Sequence, residues 1–307
     1  MKRYVANLVA YLPRLIAGDI INQNETYIML AAQLHIKAIE HIEFVGCLSE
    51  VEFKAFSQWG EDGIIQYLIN KIPIEDRVFI EFGVENYVES NTRFLLLNNN
   101  WKGLVIDGSK KHIKYIRDDT IYWKHDLTAV CQFITRENIN DIFKSSGFVG
   151  DIGLLSIDID GNDYWVWHEI DSIRPRIVVC EYNSVFGCKH RITVPYSAGF
   201  IRTEAHYSNL YYGASLPAIC QLAKNKGYDF VGSNSTGSNA FFVRSDLEHG
   251  LRVFSADEGY VESKMRESRS KQGKLTFQTG VDRLRLIQDM PVYDIGKNRI
   301  VPIKDVT

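Results

Sequence analysis

From residue 56 onward the apolar positions fall into short β-branched runs separated by stretches with helical spacing. The runs are RVFIEFG (77–83), KGLVIDG (102–108), TIYWKHD (120–126), DIGLLSIDID (151–160), RIVVCEYN (176–183), YDFVGSN (228–234) and NAFFVRSD (239–246). Each has the length and side-chain chemistry of a strand. The intervening segments 61–72, 90–100, 109–118, 135–146, 162–173 and 214–227 are long enough for helices. Strictly alternating strands and helices predict a mostly parallel sheet covered on both faces. The last two runs are joined only by STGS, too short for a crossover helix, so they pair antiparallel. The expected fold is therefore α/β: a Rossmann-like, seven-stranded, mostly parallel sheet with one antiparallel strand.

The flanks differ from this middle. In residues 1–50, YVANLVAYLPRLIAGDI and ETYIMLAAQLHIKAIEHIEFV carry apolar residues three and four apart, which predicts a helical N-terminal extension acting as a lid or an oligomer contact. Residues 51–250 form the expected main domain, within which 184–213 reads as a substrate-covering loop hinged at Ser197-Ala198-Gly199 and Gly213-Ala214-Ser215. Residues 251–307, with the charged ESKMRESRSKQGK, read as a C-terminal surface appendage.

Charge and cysteine content exclude several classes. The 35 Lys and Arg nearly balance the 38 Asp and Glu, for a formal net charge of -3, so no global field attracts nucleic acid or an anionic membrane. The five cysteines form no CxxC and are odd in number, which argues against a zinc knuckle or a disulfide framework and for a reducing cytoplasm. The basic, apolar start is interrupted by Asn7, Pro13 and Arg14, unlike a secretory leader, and no run is long enough for a membrane helix.

Open parallel sheets bind ligands beyond the carboxyl ends of their strands. Here those ends are acidic: Glu81-Phe82-Gly83, Asp107-Gly108-Ser109, His125-Asp126, Asp158-Ile159-Asp160 and Glu181-Tyr182-Asn183. Carboxylates gathered at one edge cost desolvation unless they are paired, wet or used. The first loop, GVENYVESN, lacks GxGxxG, and Glu85 and Glu89 would repel a pyrophosphate. A ribose whose hydroxyls donate to carboxylates, on a ligand carrying positive charge, suits this edge, and S-adenosylmethionine meets both demands.

FIEFGVENYVESNTRFLLLNNNWKGLVIDGS followed by LLSIDIDGNDYWVW resembles the class I S-adenosylmethionine-dependent methyltransferases, most of all the FkbM-type branch, over residues 56–246. The resemblance implies that Glu81 and Gly83 flank the methionine part of the cofactor, that Asp107 holds the ribose hydroxyls, and that Asp126 lies near the adenine; Gly108 and Ser109 are expected at the cofactor beside Asp107. Asp158 also falls in the cofactor set. The chain departs from the pattern in lacking the further glycines of the first motif. DIDGNDYW also resembles the Asp-rich turn of metal-dependent O-methyltransferases of the macrocin type. Asp158, Asp160 and Asp163 with Glu181 and Asn183 offer oxygen ligands for Mg or Mn, with Asp160, Glu181 and Asn183 as the core set; Asp160 and Asp163 as helix caps is the alternative. His206, in RTEAHYSNLYYGAS, is the expected general base, with Asp160 as a second catalytic group. In FSQWGEDGII, Gln58 is expected at the cofactor, or else Ser57 simply caps the next helix. Trp165 and Trp167 are expected in the core.

The expected activity is methylation of a hydroxyl on a small polar molecule, such as a sugar or glycan precursor, with carbohydrate, not nucleic acid or membrane, as partner. The alternatives are a NAD- or nucleotide-sugar-dependent Rossmann enzyme, against which the missing GxGxxG counts, and a noncatalytic methyltransferase-like binding module.

Overall fold

The structure is a computed structural model that describes residues 24–306. The expected helix in YVANLVAYLPRLIAGDI lies outside the described residues. Helix α1 (24–39) leads through a 3-10 turn at Leu48–Val51 to α2 (Glu61–Lys71). Then follow β1 (Val78–Phe82), α3 (Arg93–Asn99), β2 (Lys102–Asp107), α4 (Lys110–Asp118), α5 (Thr120–Lys124), β3 (Leu127–Cys131), α6 (Ile139–Ser145), β4 (Gly150–Ile157), α7 (Asp163–Glu169) and β5 (Ile173–Glu181). An insertion with β6 (Ile192–Thr193) and α8 (Arg202–Ala205) precedes α9 (Leu216–Asn225), β7 (Tyr228–Ser233) and β8 (Asn239–Arg244). The chain closes with α10 (Val281–Ile287), β9 (Pro291–Asp294) and β10 (Arg299–Pro302).

The main sheet has seven strands in the order β3-β2-β1-β4-β5-β8-β7, and β8 runs antiparallel to both its neighbours. This is the Rossmann-like architecture expected from the strand and helix alternation. Period-two alternation sends Phe79, Leu154, Ile177 and Val179 to one face, against Ile64 and Leu68 of α2, Leu95 of α3 and Ile116 of α4. Ile80, Leu155 and Val178 face the other way, against Phe143 of α6, Trp167 of α7 and Ile219 of α9. Trp167 is fully buried, so its truncation to Ala would cost about 3–5 kcal/mol. Trp165 is partly buried, and its indole N–H donates to the Val194 carbonyl at 2.8 Å. Among the described residues no helix is long and apolar enough to cross a membrane.

Two expectations are corrected. TIYWKHD is not the third strand: Thr120–Lys124 form a helical turn whose N-cap, Asp119, accepts the Ile121 N–H at 3.0 Å. Only Ile121 of that turn is buried, so its β-branched and aromatic residues do not need a sheet face. The strand is the following LTAVC, which pairs with β2 from Gly103↔Leu127 to Asp107↔Cys131. Asp126 therefore precedes β3 instead of ending it. It sits at the amino edge, 3.8 Å from Lys102 Nζ, and leaves the expected cofactor set.

Residues 251–307 are also more than an appendage. β9 pairs with both β10 and β6, and Ile287, Val292 and Ile303 share an apolar cluster with Ile192, Val194, Leu210 and Tyr211 of the insertion. Tyr182 Oη donates to the Val261 carbonyl at 2.7 Å, and Tyr260 Oη to that of Ser184 at 2.7 Å. The C-terminal segment thus braces the insertion against the end of β5.

Candidate active site

A cleft of about 720 Å³ opens at the carboxyl ends of β1, β2, β4 and β5. It lies where the strand order reverses between β1 and β4, because connections leaving these two neighbours diverge and leave a gap above the sheet. Gln58, Glu81, Gly83, Asp107, Gly108, Ser109, Asp158, Asp160 and Glu181 all line it; Asn183, His206 and Asp126 do not.

On the β1 and β2 side the backbone is drawn tight. Gly83 has φ +77°, in the region that favours glycine, and a Cβ there would meet the Asp158 carbonyl. Asp107 Oδ2 accepts the Glu85 N–H at 2.9 Å, and Oδ1 accepts the Ser109 N–H at 2.7 Å. Its carboxylate is thereby fixed at the cleft wall, with His112 Nδ1 3.3 Å away. Ser109 caps α4 by accepting the His112 N–H. Beyond the corrected end of β3, Gln132, Phe133 and Ile134 complete this wall, and the Phe133 ring packs beside Gly108. Phe133 is 47% exposed, an aromatic face open to the cleft that the shifted strand boundary concealed.

Glu81 is a brace. Its Oε2 accepts from Ser90 Oγ, Thr92 Oγ1 and the Thr92 N–H, while Oε1 accepts the Asn91 N–H at 2.9 Å. Burial raises its pKa, and these donors oppose the rise. Gln58 stands exposed at the rim, its Oε1 accepting from the Trp59 indole at 3.1 Å. Gly60 is the N-cap residue of α2, yet the Ser57 hydroxyl accepts the Asp62 N–H of the helix's first turn at 3.2 Å. The Ser57 N–H and hydroxyl also both donate to the buried Asp62 carboxylate.

The β4 and β5 side is acidic. One oxygen from each of Asp158, Asp163 and Glu181 lies within 4.8 Å of the others. Glu181 is nine-tenths buried, and its Oε2 has no hydrogen-bond partner. Burial first, then the neighbouring carboxylates, push Asp158 and Glu181 well above the usual carboxyl range. Two such close groups cannot both ionise freely, so the pair retains a proton more readily than isolated carboxyls. Asp163 stabilises its own turn by accepting the Ile159 and Gly161 N–H groups at 2.8 and 2.9 Å, and burial raises its pKa to about 6.

Asp160, at φ +55°, points to Arg202 Nη1 at 2.5 Å. Arg202 is the principal feature of the site that the sequence pattern does not single out. It begins α8 inside the 184–213 loop, and residues 200–203 are the part of that loop that reaches the cleft. Phe200 seats its ring where Gly161 lacks a side chain, and Met265 and Glu267 arrive from the C-terminal segment. Burial works against the charge on Arg202, but Tyr212, Glu181, Asp160 and Glu267 outweigh it and raise its pKa.

Two expected groups are engaged elsewhere. Asn183 is fully buried; its Nδ2 donates to the Leu210 and Tyr212 carbonyls, and its Oδ1 accepts the Val185 N–H. It shapes the base of the insertion and is not available as a ligand. His206 Nδ1 is 2.7 Å from Ser208 Oγ, and burial together with Lys271 lowers its pKa. It stabilises a turn after α8 outside the cleft lining.

No known protein family and no curated protein matches the chain. Among solved structures, it is similar to the N-terminal domain of EvdMO1 with SAH bound at 10% identity and a TM-score of 0.40, over 70% of this chain and 94% of that one. It is similar to an S-adenosylmethionine-dependent methyltransferase from Clostridium acetobutylicum at 9% identity and a TM-score of 0.37, over 60% of this chain and 90% of that one. A putative O-methyltransferase from Klebsiella pneumoniae aligns at 14% identity with a TM-score of 0.34, over 55% of this chain and 73% of that one. At this distance the likenesses assign neither family nor activity.

Proposed function

We propose that the chain is an S-adenosylmethionine-dependent O-methyltransferase acting on a hydroxyl of a small polar acceptor such as a sugar or glycan precursor. The carrying observation is the cleft at the β1/β4 reversal with Asp107 fixed at the end of β2. Asp107 would accept the ribose hydroxyls on its remaining lone pairs, next to the N-terminal end of α4. Phe133 offers a face for the adenine, and the turn at Gly83 admits the methionine part without a side chain in the way.

The cofactor supplies a sulfonium methyl open to in-line displacement, so the protein's task is to orient the acceptor and remove its proton. Glu181 Oε2 is the group best placed for this. It is an unpaired carboxylate oxygen in the cleft wall, made a stronger base by burial and by Asp158. His206, the base expected from the sequence, and Asp160, the second expected catalytic group, give way to it, since one lies outside the lining and the other is held by Arg202. The acidic and amide groups around Asp158, Glu181 and Asn162, with the ring of Phe200, suit a neutral polyol: carboxylates accept its hydroxyls while an aromatic face covers its C–H surface.

Calorimetric titration with S-adenosylhomocysteine tests this reading. Micromolar, one-to-one binding is expected, whereas no heat, or binding of NAD in its place, overturns it. A contact between copies through α1 is part of the same proposal: Tyr27, Leu30 and Leu34 are 69%, 57% and 62% exposed along one helix stripe. Leu30→Glu with Leu34→Glu should then reduce the sedimenting mass of the protein.

A further inference from the structure

Two features of the acidic end of the cleft have to be explained together. The first is the oxygen cluster of Asp158, Asp163 and Glu181, whose spacing suits a hard cation and which includes the unpartnered, nine-tenths buried Oε2 of Glu181. The second is the fixation of Arg202. Its Nη1 is ion-paired to Asp160 at 2.5 Å, its Nη2 to Glu267, and its Nε donates to the Asn209 carbonyl at 3.0 Å. Its guanidinium carbon stands 3.6 Å from the centroid of the Tyr212 ring. The side chain is only 12% exposed. A long cationic side chain loses rotamer freedom when held at four points, which is a large cost for a residue on a four-residue helix in a loop.

The ligands expected for a divalent cation do not assemble around the cluster. Asp160 is turned to Arg202, the Asn183 amide is used on both ends inside the insertion, and both oxygens of Asp163 hold backbone N–H groups of its own turn. Only Asp158 and Glu181 are left, so an ion held there would take most of its coordination positions from water or substrate. A divalent ion there would also stand near a guanidinium that cannot lose its proton. The residues therefore fit a resident guanidinium better than a metal.

We infer that Arg202 is the built-in cation of this site: it balances the Asp158, Asp160 and Glu181 carboxylates and offers its remaining N–H donors to the acceptor's oxygens, so that acceptor binding needs no divalent metal. The part concerning the acceptor rests on the function proposed above, whereas the competition between guanidinium and metal does not. Arg202 here is both an acceptor-binding and a charge-balancing group. Lysine is a poor substitute, because a point charge cannot bridge Asp160 and Glu267 while stacking on Tyr212.

The test is Mn²⁺ binding to the full chain, followed by electron paramagnetic resonance and calorimetry with MnCl₂ alone. Wild-type protein is expected to show no site in the micromolar range. Arg202→Ala, and Arg202→Gln as a less disruptive second variant, should bind Mn²⁺ at least on the order of tenfold more tightly than wild type. Adding Glu181→Gln to either should cancel the gain. A single micromolar Mn²⁺ site in wild type that Glu181→Gln removes overturns the inference. So does a folded Arg202 variant, verified by circular dichroism, that gains no Mn²⁺ affinity. S-adenosylhomocysteine titrations on the same samples keep the two proposals apart: loss of cofactor binding in wild type defeats the methyltransferase reading and leaves the Mn²⁺ outcome standing.

Discussion

A Cβ on Gly83 would lie 1.5 Å from the carbonyl oxygen of Asp158, so the turn after β1 and the end of β4 meet backbone to backbone. This contact sets the floor of the cleft. Gly83→Ala has to relieve that overlap and also hold a positive φ, at a combined cost of about 3 kcal/mol or more. Urea unfolding should show the loss, and S-adenosylhomocysteine affinity should fall with it. A variant as stable as wild type would mean that the two segments separate freely.

Asp107 should matter to the cofactor far more than to the fold. Asp107→Ala removes the ribose-directed carboxylate along with two backbone hydrogen bonds at the cleft wall. Calorimetry should show at least a hundredfold loss of S-adenosylhomocysteine affinity, about 3 kcal/mol. Unchanged affinity would remove Asp107 from the ribose site.

Phe133 separates the corrected third strand from the expected one. Phe133→Ala should weaken S-adenosylhomocysteine by about tenfold through lost stacking. Asp126→Ala, at the opposite edge, should leave affinity unchanged. Reversed effects would return the adenine to Asp126.

Asp62 gives a pH signature. Its Oδ2 accepts the N–H groups of Ala55, Phe56 and Ser57 and the Ser57 hydroxyl, but its Oδ1 is buried without a partner, and burial raises the pKa to about 6. An acid whose folded pKa exceeds its unfolded value of about 3.9 binds protons better in the native state, so its contribution to stability falls as pH rises between those values. The stability lost in Asp62→Asn should therefore be smaller at pH 7.5 than at pH 4.5, by about 2 kcal/mol. Urea unfolding at the two pH values measures the difference, and a loss that grows with pH contradicts it.

The amino edge of the sheet should show the opposite pH dependence from Asp62. Arg244 is buried and bridges Asp151 at 3.0 Å and Asp246 at 2.7 Å, while Arg176 holds Asp151 from β5 at 2.7 Å. Burial raises the Asp151 pKa, but Arg176 and Arg244 outweigh it and leave the group below its usual value. Arg244→Ala should lower stability by about 2 kcal/mol at neutral pH, with the effect shrinking as Asp151 is protonated at low pH, and should not change S-adenosylhomocysteine affinity. Loss of cofactor binding would couple the two edges.

Much of the fold is legible in the chain because short, near-continuous apolar runs such as RVFIEFG and RIVVCEYN bury both faces most readily inside a covered parallel sheet. Glu81, Gly83, Asp107, Asp158 and Glu181 follow from the same reading, since a strand's last residues must stand at its carboxyl edge. TIYWKHD misleads for a local reason. Its residues favour strands, yet Asp119 caps a helical turn and leaves the pairing to LTAVC, which moves Asp126 to the wrong edge and brings Phe133 to the right one.

From the sequence alone follow the sheet covered by helices on both faces, the antiparallel pairing of the last two strands and the acids at four strand ends, because these depend on the apolar pattern, on loop length and on direction along the chain. Which of those acids remain available was decided only by the tertiary structure. Glu81 is consumed by the Ser90 and Thr92 donors, Asp163 by its own turn and Asp160 by Arg202, while Glu181 keeps an oxygen unpaired. Arg202 and Phe200 reach the cleft from the insertion and Met265 and Glu267 from the C-terminal segment, two stretches that the β6–β9 pairing joins. That pairing joins segments about a hundred residues apart, and no local pattern of apolar and polar positions encodes it.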